Sequence, residues 1–305
     1  MIRFDYRAPA SLDEMFGLLE EYGDEAKLIA GGTALVILMK QRLVRPSVLV
    51  SLAGIEALRG IEAANGDPSA EQVRFAGSGQ GLRIGALTTH REAETSELVR
   101  DRLPVLADTF RKVATVRIRN VGTVGGNLAH ADPAQDPPAT LIALGASVEL
   151  TSAGGQRAVP IEDFFTDYYE TALQPAEIVR AIRVPSLPGR SGAVFHKFLP
   201  RTADDYATVA VATVISLDEA GQACRDVRIG LSAVGSTPVR ARQTEAALRG
   251  QPLTEERIRE AAAVVKSEVD PISDIRGSAE YKRDMAEVWV RRTLQQAVAQ
   301  ARGGS

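Results

Sequence analysis

IRNVGTVGGNLAHADPAQDPPATLIALGA, Ile118–Ala146, is the stretch on which the reading of this chain turns. Its centre is TVGGN at Thr123–Asn127, framed by Ile118-Arg119-Asn120 and by Leu128-Ala129-His130. A shorter counterpart, AGGT at Ala30–Thr33, leaves the strand-like Lys27-Leu28-Ile29 and opens an expected helix over Ala34–Gln41. Glycine accepts positive φ and lets another group come close to its backbone. Successive N–H groups in such a turn form an anion-binding concavity, and a following helix N-terminus adds partial positive charge. Two such turns on one chain suit a ligand with two phosphates, such as the pyrophosphate of a dinucleotide. Taken singly, each pair also reads as a tight turn beside close packing. Neither is a P-loop, since no Gly-Lys-Ser/Thr follows, and neither has the spacing of the Rossmann fingerprint.

Outward from this centre, Asp132-Pro133 and Asp136-Pro137-Pro138 punctuate the chain, and the paired prolines launch a helix over Ala139–Leu144. Val148–Thr151 and Arg157–Ile161 flank Ala153-Gly154-Gly155 as a hairpin. Toward the N-terminus, Ser11-x-x-Glu14 is a capping box for a helix to about Tyr22, stopped by Gly23. Lys27–Ala30 reads as a short buried strand and Val48-Leu49-Val50 as a second, giving a small α/β unit. A new unit starts near Gly60, with a polar loop at Ala63–Ala70 and strands over Val73–Ala76 and Leu82–Ala86. Thr89-x-x-Glu92 is another capping box and leaves His90 exposed in the first helical turn; Arg102–Val113 is helical in pattern.

Beyond Asp163-Phe164-Phe165 a third unit begins. Strands are expected over Ile178–Val184 and Val194–Leu199, then a long hairpin of Ala207–Leu217 and Val227–Val234 around Asp218–Gln222. Three helices follow, from Thr237-Pro238 to Gly250, from Thr254 to about Glu268, and from Ser278 to about Ala301. Strands followed by helices indicate an α+β domain. No internal repeat is visible, and the terminal Gly-Gly-Ser reads as a frayed end.

A chain of 305 residues exceeds most single cores, so two or three domains are expected. A net charge of −3 offers no basic field for nucleic acid. The start, MIRFDYRAPA, lacks the apolar core of a secretory signal. The apolar run Ala34–Met39 falls far short of the about 20 residues that span a bilayer, so a cytoplasmic protein is expected. The single Cys224 makes no internal disulfide and cannot hold an iron–sulfur cluster, which takes about four thiolates. His90, His130 and His196 stand far apart without metal-type spacing, so no metal site is expected here. No G-x-S-x-G elbow exists, and Asp204-Asp205 would point to opposite faces of a strand. Phosphate-type turns without catalytic side chains point to a cofactor that carries the chemistry.

These residues resemble a known family, the FAD-binding medium subunit of molybdenum hydroxylases, which includes aerobic carbon monoxide dehydrogenase and the flavin domain of xanthine dehydrogenase. The resemblance rests on AGGT, on Ile118–Ala146, on Glu177-Ile178-Val179, on KFLPRTADDYATVAVA at Lys197–Ala212, and on DIRGSAEYKRDM at Asp274–Met285. It covers nearly the whole chain. It implies an α+β protein with a PCMH-type FAD-binding fold: a small α/β subdomain (1–56), a larger mixed subdomain (57–170), and a C-terminal domain of three antiparallel strands with helices (171–305). Backbone of Ile29, Ala30, Gly31, Gly32, Thr33 and Ala34 would hold the FAD pyrophosphate, with Lys27 and Leu28 lining that loop. Thr123, Val124, Gly125, Gly126 and Asn127 would face it, with Gly122 and Ala129 beside them. Asp136 matches the family's acidic contact on the adenosine side, or else caps the helix after Pro137. Val179 and Lys197 fall where the family contacts the flavin from the third domain, although Lys197 also reads as an exposed strand lysine. Tyr206 matches the aromatic that the carbon monoxide dehydrogenase branch sets against the isoalloxazine, or else is a core tyrosine. His130 would pack near the cofactor, and His196 reads as a surface residue. The cysteine-rich insert of the 4-hydroxybenzoyl-CoA reductase branch is missing here.

The resemblance implies partners: a large molybdopterin-binding subunit that oxidises substrate, and a small subunit with two [2Fe–2S] clusters, assembled as a dimer of heterotrimers. Electrons would pass from the clusters to FAD and on to an external acceptor, with no catalytic side chain in this subunit. Two other readings stay open at this point, a stand-alone PCMH-type FAD oxidase and a non-catalytic nucleotide-binding scaffold.

Overall fold

The computed structural model describes residues 3–64, 80–200, 202 and 204–303. The expected strand over Val73–Ala76 lies outside the described residues, as does most of the polar loop before it. Three sheets organise the chain. The first is parallel, with Val48–Ser51 between Asp5–Arg7 and Ala26–Ile29. The helix Leu12–Tyr22 leads into its second strand. Ser11 caps that helix by accepting the Glu14 N–H, and Gly23 ends it at φ 48°. Val48–Ser51 is fully buried, whereas Ala26–Ile29 is only half-buried, with Lys27 exposed. The shallower burial follows from its place at the sheet edge.

The second sheet is antiparallel, in the order Ile61–Ala64, Gly81–Gly85, Ile178–Val184, Ser147–Ser152, Gly155–Pro160. Ile178–Val184 thus sits in the middle of this sheet and not in the third unit, which corrects the boundary expected at 170. Its apolar run reads equally well as a strand of either domain, and only pairing on both sides settles its place. The expected helix Arg102–Val113 is two helices, Glu97–Arg102 and Pro104–Arg111. Pro104 excludes the helical conformation at Leu103, which stands at φ −138°, and itself occupies a favoured first-turn position.

The third sheet is antiparallel, with Ser191–Phe198, Val209–Leu217, Cys224–Ser232 and a short fourth strand, Val239–Arg240. That fourth strand delays the helix expected from Thr237, which runs over Arg242–Leu248. All nine residues of Val209–Leu217 are buried, because helices cover both faces of the sheet. On one face lies Asp136–Leu144, itself buried along its whole length, and on the other lies the long helix Ala279–Ala301. Two glycines permit these contacts. A Cβ on Gly230 would stand 2.1 Å from the Ala139 carbonyl oxygen, and one on Gly192 would stand 1.8 Å from that of Ala297. One continuous core therefore joins the middle sheet to Ala207, Ala210, Ala212 and Val214 of the third. The C-terminal part is fixed against the stretch Ile118–Ala146.

Candidate functional site

The chain leaves Ile29, turns at Gly32 with φ 69°, and enters the helix Leu35–Lys40. The first bond of this turn is Val36 N–H to the Gly32 carbonyl at 3.0 Å. The N–H groups of Gly31, Gly32, Thr33 and Ala34 have no partner among the described residues. Residues 28–36 are all half-buried. Consecutive unpaired donors at the start of a helix are available to an acceptor.

The second motif closes over the first. A Cβ on Gly31 would stand 1.9 Å from the Val121 carbonyl oxygen and 2.9 Å from Gly122 Cα. Gly126 faces Ala30, with 3.6 Å from its would-be Cβ to the Ala30 methyl. The two Gly-Gly stretches are therefore neighbours, as their pairing in sequence suggested.

The local form of the second motif differs from the expected turn. A helical turn, Val116–Arg119, precedes it instead of a strand, and the glycines lie in the first turn of the helix Val124–His130. Thr123 caps this helix by accepting the Gly126 N–H at 3.1 Å. Val124 and Gly125 donate to the carbonyls of Thr88 and Ala86 at 2.9 and 2.8 Å, and Asn127 donates to Thr123. Among the described residues, only the Thr123 N–H of this set is left over. The motif is thus no second nest of donors. Its glycines give room: Gly125 lies against Ala86, and a Cβ on Gly126 would meet the Thr123 hydroxyl at 2.8 Å. The side chain of Asn127 contributes instead, with its Oδ1 buried and unmet. Ala129 is exposed.

His90 is buried, not exposed, because the second motif roofs the helix that it starts. Its N–H donates to the Gly122 carbonyl at 2.9 Å, and its ring lies 5.5 Å from Phe110. Burial, then the nearby Arg119 charge, pushes its pKa down to about 4, so the imidazole is neutral. Arg119 is itself held by Glu94 at 3.0 Å and by the carbonyls of Val113 and Ala114. His196 is also no surface residue. It is half-buried and stacked on Trp289, with ring centroids 3.5 Å apart.

Asp136 and Lys197 meet as a buried ion pair at 2.8 Å, which makes Lys197 neither exposed nor free. Lys197 also donates to the Lys112 carbonyl at 3.0 Å. Burial raises the Asp136 carboxyl to about 6, against the lowering effect of Lys197. Among the described residues, its second oxygen, Oδ1, has no donor, and neither has the buried Oε1 of the adjacent Gln135. Val179 is buried at an irregularity in the middle sheet, which puts it in the second sheet and not in the third domain. Tyr206 is partly exposed, with the Arg276 guanidinium 5.6 Å from its ring centre.

Among the described residues, the four adjacent N–H groups of Gly31–Ala34 lack acceptors, and the buried oxygens Asn127 Oδ1, Gln135 Oε1 and Asp136 Oδ1 lack donors. Donors in a row fit a pyrophosphate; lone acceptors fit hydroxyl, imide and amino groups. An adenine–flavin dinucleotide carries all of these, so the residues present fit it. Gln135 was invisible in sequence, where it stood only as the residue before an Asp-Pro-Pro.

The comparison with known proteins follows the same outline. Residues 2–187 match the family model described as "FAD binding domain in molybdopterin dehydrogenase", and 194–297 match "CO dehydrogenase flavoprotein C-terminal domain". The chain belongs to the FAD-binding medium-subunit family of molybdenum hydroxylases. Within that family, it is 37% identical over 299 residues to the carbon monoxide dehydrogenase medium chain of Afipia carboxidovorans, with 98% of each chain covered. It is 36% identical to the 6-hydroxypseudooxynicotine dehydrogenase complex subunit alpha of Paenarthrobacter nicotinovorans, over 98% of this chain and 96% of that one. Among solved structures, it matches a carbon monoxide dehydrogenase of Hydrogenophaga pseudoflava lacking the Mo-pyranopterin moiety, with a TM-score of 0.89 and 38% identity, over 98% and 99% of the two chains. This medium subunit is therefore an oxidoreductase component with FAD as its cofactor. The break between the two family models, between 187 and 194, falls after the strand Ile178–Val184, where the pairing of that strand puts it. Among the described residues, no group of three or more His, Cys, Asp or Glu could hold a metal ion, and no helix is long and apolar enough to cross a membrane.

Proposed function

We propose that this chain is the electron-transferring flavin subunit of a molybdenum hydroxylase assembled as a dimer of heterotrimers, with a large molybdopterin-binding partner and a small [2Fe–2S] partner. The observation that carries the reading is the row of unpaired N–H groups from Gly31 to Ala34, covered by Val121–Gly122. When bound, FAD supplies the redox carrier that links the partner's clusters to an external acceptor. The chain itself binds and orients. Gly31–Ala34 hold the pyrophosphate through their N–H groups, and Thr123 adds one more. Gly125 and Gly126 leave space for close approach, Asn127 and Asp136 accept hydrogen bonds, and Lys197 keeps the Asp136 carboxylate ionised. Val179 and Tyr206 shape the flavin end. The substrate is oxidised in the large partner, so no residue of this chain selects it.

The test is purification of the complex through a tag on this chain, followed by a visible spectrum, a denaturing gel and metal analysis. The proposal expects flavin bands, iron–sulfur absorbance, two co-purifying chains and molybdenum. A lone yellow chain that oxidises a substrate unaided would replace it with the stand-alone oxidase. A colourless chain that does not take up FAD would replace it with the scaffold.

A further inference from the structure

One buried ion pair has no part in cofactor binding as described so far. Glu94, on the helix His90–Thr95, meets Arg119, the last residue of the helical turn Val116–Arg119, with Nε 3.0 Å from Oε2. Both side chains are buried. The other Glu94 oxygen takes the Arg91 guanidinium at 2.8 Å. Arg119 Nη1 donates to the carbonyls of Val113 and Ala114, both at 2.9 Å. Ala114 stands in the left-handed region at φ 38°. A residue with a side chain is strained there and stays only where its surroundings impose it. One guanidinium nitrogen that holds two successive carbonyls is such a constraint, and an apolar pair of the same volume could not supply it.

The stretch after Arg119 is held separately. The Gly122 N–H donates to the Ile118 carbonyl at 2.7 Å, and the Gly122 carbonyl accepts the His90 N–H at 2.9 Å. Thr89 and Thr123 pair as an isolated antiparallel bridge. The helix that carries Glu94 therefore grips this stretch twice, by backbone at its start and by the Glu94 carboxylate one turn later. Between the two grips lie Asn120 and Val121, both exposed. Their side chains offer little packing to fix the peptide, so the grips on either side set its position. It is the Val121 carbonyl that overhangs Gly31, 1.9 Å from where a Cβ would stand.

We propose that Glu94 and Arg119 are positioning residues for the cofactor: their ion pair, with the two carbonyls that Arg119 holds, sets how closely the Val121–Gly122 peptide approaches Gly31, and through that the fit of FAD. This rests on the proposed flavin-subunit function and goes beyond it, because neither side chain need touch the cofactor. With the pair cut, the donors of Gly31–Ala34 stay as they are, while the peptide over them can retreat. The signature is a loss of affinity that is coupled to crowding at Gly31.

The experiment strips FAD from tagged complexes and measures its return by equilibrium dialysis, with melting temperature alongside. The complexes are wild type, Arg119→Met, Arg119→Lys and the double change Glu94→Leu with Arg119→Met, each with and without Gly31→Ala. Arg119→Met should weaken FAD binding roughly tenfold or more, and Arg119→Lys, which keeps a charge and three donors, should recover part of that. The double change removes both charges and so spares the fold an orphaned carboxylate. It should melt above Arg119→Met yet bind FAD as poorly, since nothing then holds the Val113 and Ala114 carbonyls. Gly31→Ala should cost roughly fivefold less affinity in the Arg119→Met complex than in wild type, because the peptide that it strikes has room to move. Where Arg119→Met does not accumulate, Arg119→Lys carries the same comparison. Wild-type affinity in the Arg119 variants, affinity that returns with melting temperature in the double change, or a Gly31→Ala penalty that is the same in both backgrounds overturns the inference. A wild-type complex that takes up no FAD overturns the proposed function beneath it.

Discussion

Gly31→Ala tests the meeting of the two glycine motifs most directly. The added Cβ would lie 1.9 Å from the Val121 carbonyl oxygen, 2.7 Å from its carbon and 2.9 Å from Gly122 Cα. Real Cβ contacts essentially never fall below 3.0 Å, so the stretches must part by roughly 1.1 Å. No side chain can rotate to relieve this. The obstacle is backbone, pinned by Gly122 N–H to Ile118 at 2.7 Å and by His90 N–H to Gly122 at 2.9 Å. Overpacking typically costs about 1–3 kcal/mol, and a backbone clash belongs at the upper end. If about 2–3 kcal/mol falls on the bound state, FAD affinity drops roughly 30- to 150-fold. Gly17→Ala is the control. Gly17 lies inside the helix Leu12–Tyr22 with nothing within 4 Å of its would-be Cβ. That change should stabilise by about 0.5–1 kcal/mol and leave affinity alone. Equilibrium dialysis of the purified complexes against FAD reads both. A Gly31→Ala complex with wild-type affinity would refute the idea that the motifs close on each other around the cofactor.

Other perturbations act on the buried charges. Lys197→Met leaves the Asp136 carboxylate buried without its cation and should destabilise by about 3–5 kcal/mol in urea titrations, with the Asp136 pKa moving above its present value of about 6. Asp136 has a folded pKa raised above the ordinary 3.8, mainly by burial, so the folded state binds the extra proton. Wild type should therefore gain stability relative to Asp136→Asn as pH falls from about 6.5 toward 4. His90 works in the opposite sense. Its folded pKa of about 4 lies below the ordinary 6.5, so wild type should lose stability relative to His90→Gln over the same acid window. Denaturation midpoints against pH for the three proteins check both signs, and parallel curves would refute them.

Local chemistry was legible in the sequence, and distant pairing was not. Ser11, Thr89 and Ser278 cap helices as read, because a cap depends on residues only three positions apart. Ile178–Val184 was legible as a strand, but its sheet is set by Gly81–Gly85 and Ser147–Ser152, which no local pattern names. His90 was misplaced for the same reason. A first-turn position faces solvent in an isolated helix, and here Gly122 covers it. The second Gly-Gly pair carried the right address with the wrong mechanism. Its N–H groups find the carbonyls of Ala86 and Thr88, more than 30 residues away, so room is what the glycines supply. Asp132 stood in the sequence only as half of an Asp-Pro turn signal; the hydroxyl that it accepts from comes from Tyr169, beyond local reach.

The pattern of unmet groups ties the cofactor to the stability of the fold. Buried polar atoms without partners cost about 1–3 kcal/mol each, and among the described residues Asn127 Oδ1, Gln135 Oε1 and Asp136 Oδ1 are three such atoms. A buried ion pair such as Asp136–Lys197 rarely outperforms an apolar pair of the same volume. Under the proposed function, a ligand that brings donors to the oxygens and an anion to Gly31–Ala34 would offset these costs. Binding to the folded state only adds about 2.7 kcal/mol at a ligand concentration of 100 times Kd. For a chain of this size, that corresponds to roughly 4 °C in melting temperature. Complex stripped of FAD should therefore melt lower by that amount and recover it on titration with FAD, with half the shift governed by the affinity measured in dialysis. Asn127→Ala should shrink the FAD-dependent part of the shift, since it removes one of the acceptors that the cofactor would satisfy. Identical melting of stripped and FAD-saturated complex would mean that these oxygens are met in some other way, and that the cradle is not where the cofactor's binding energy resides.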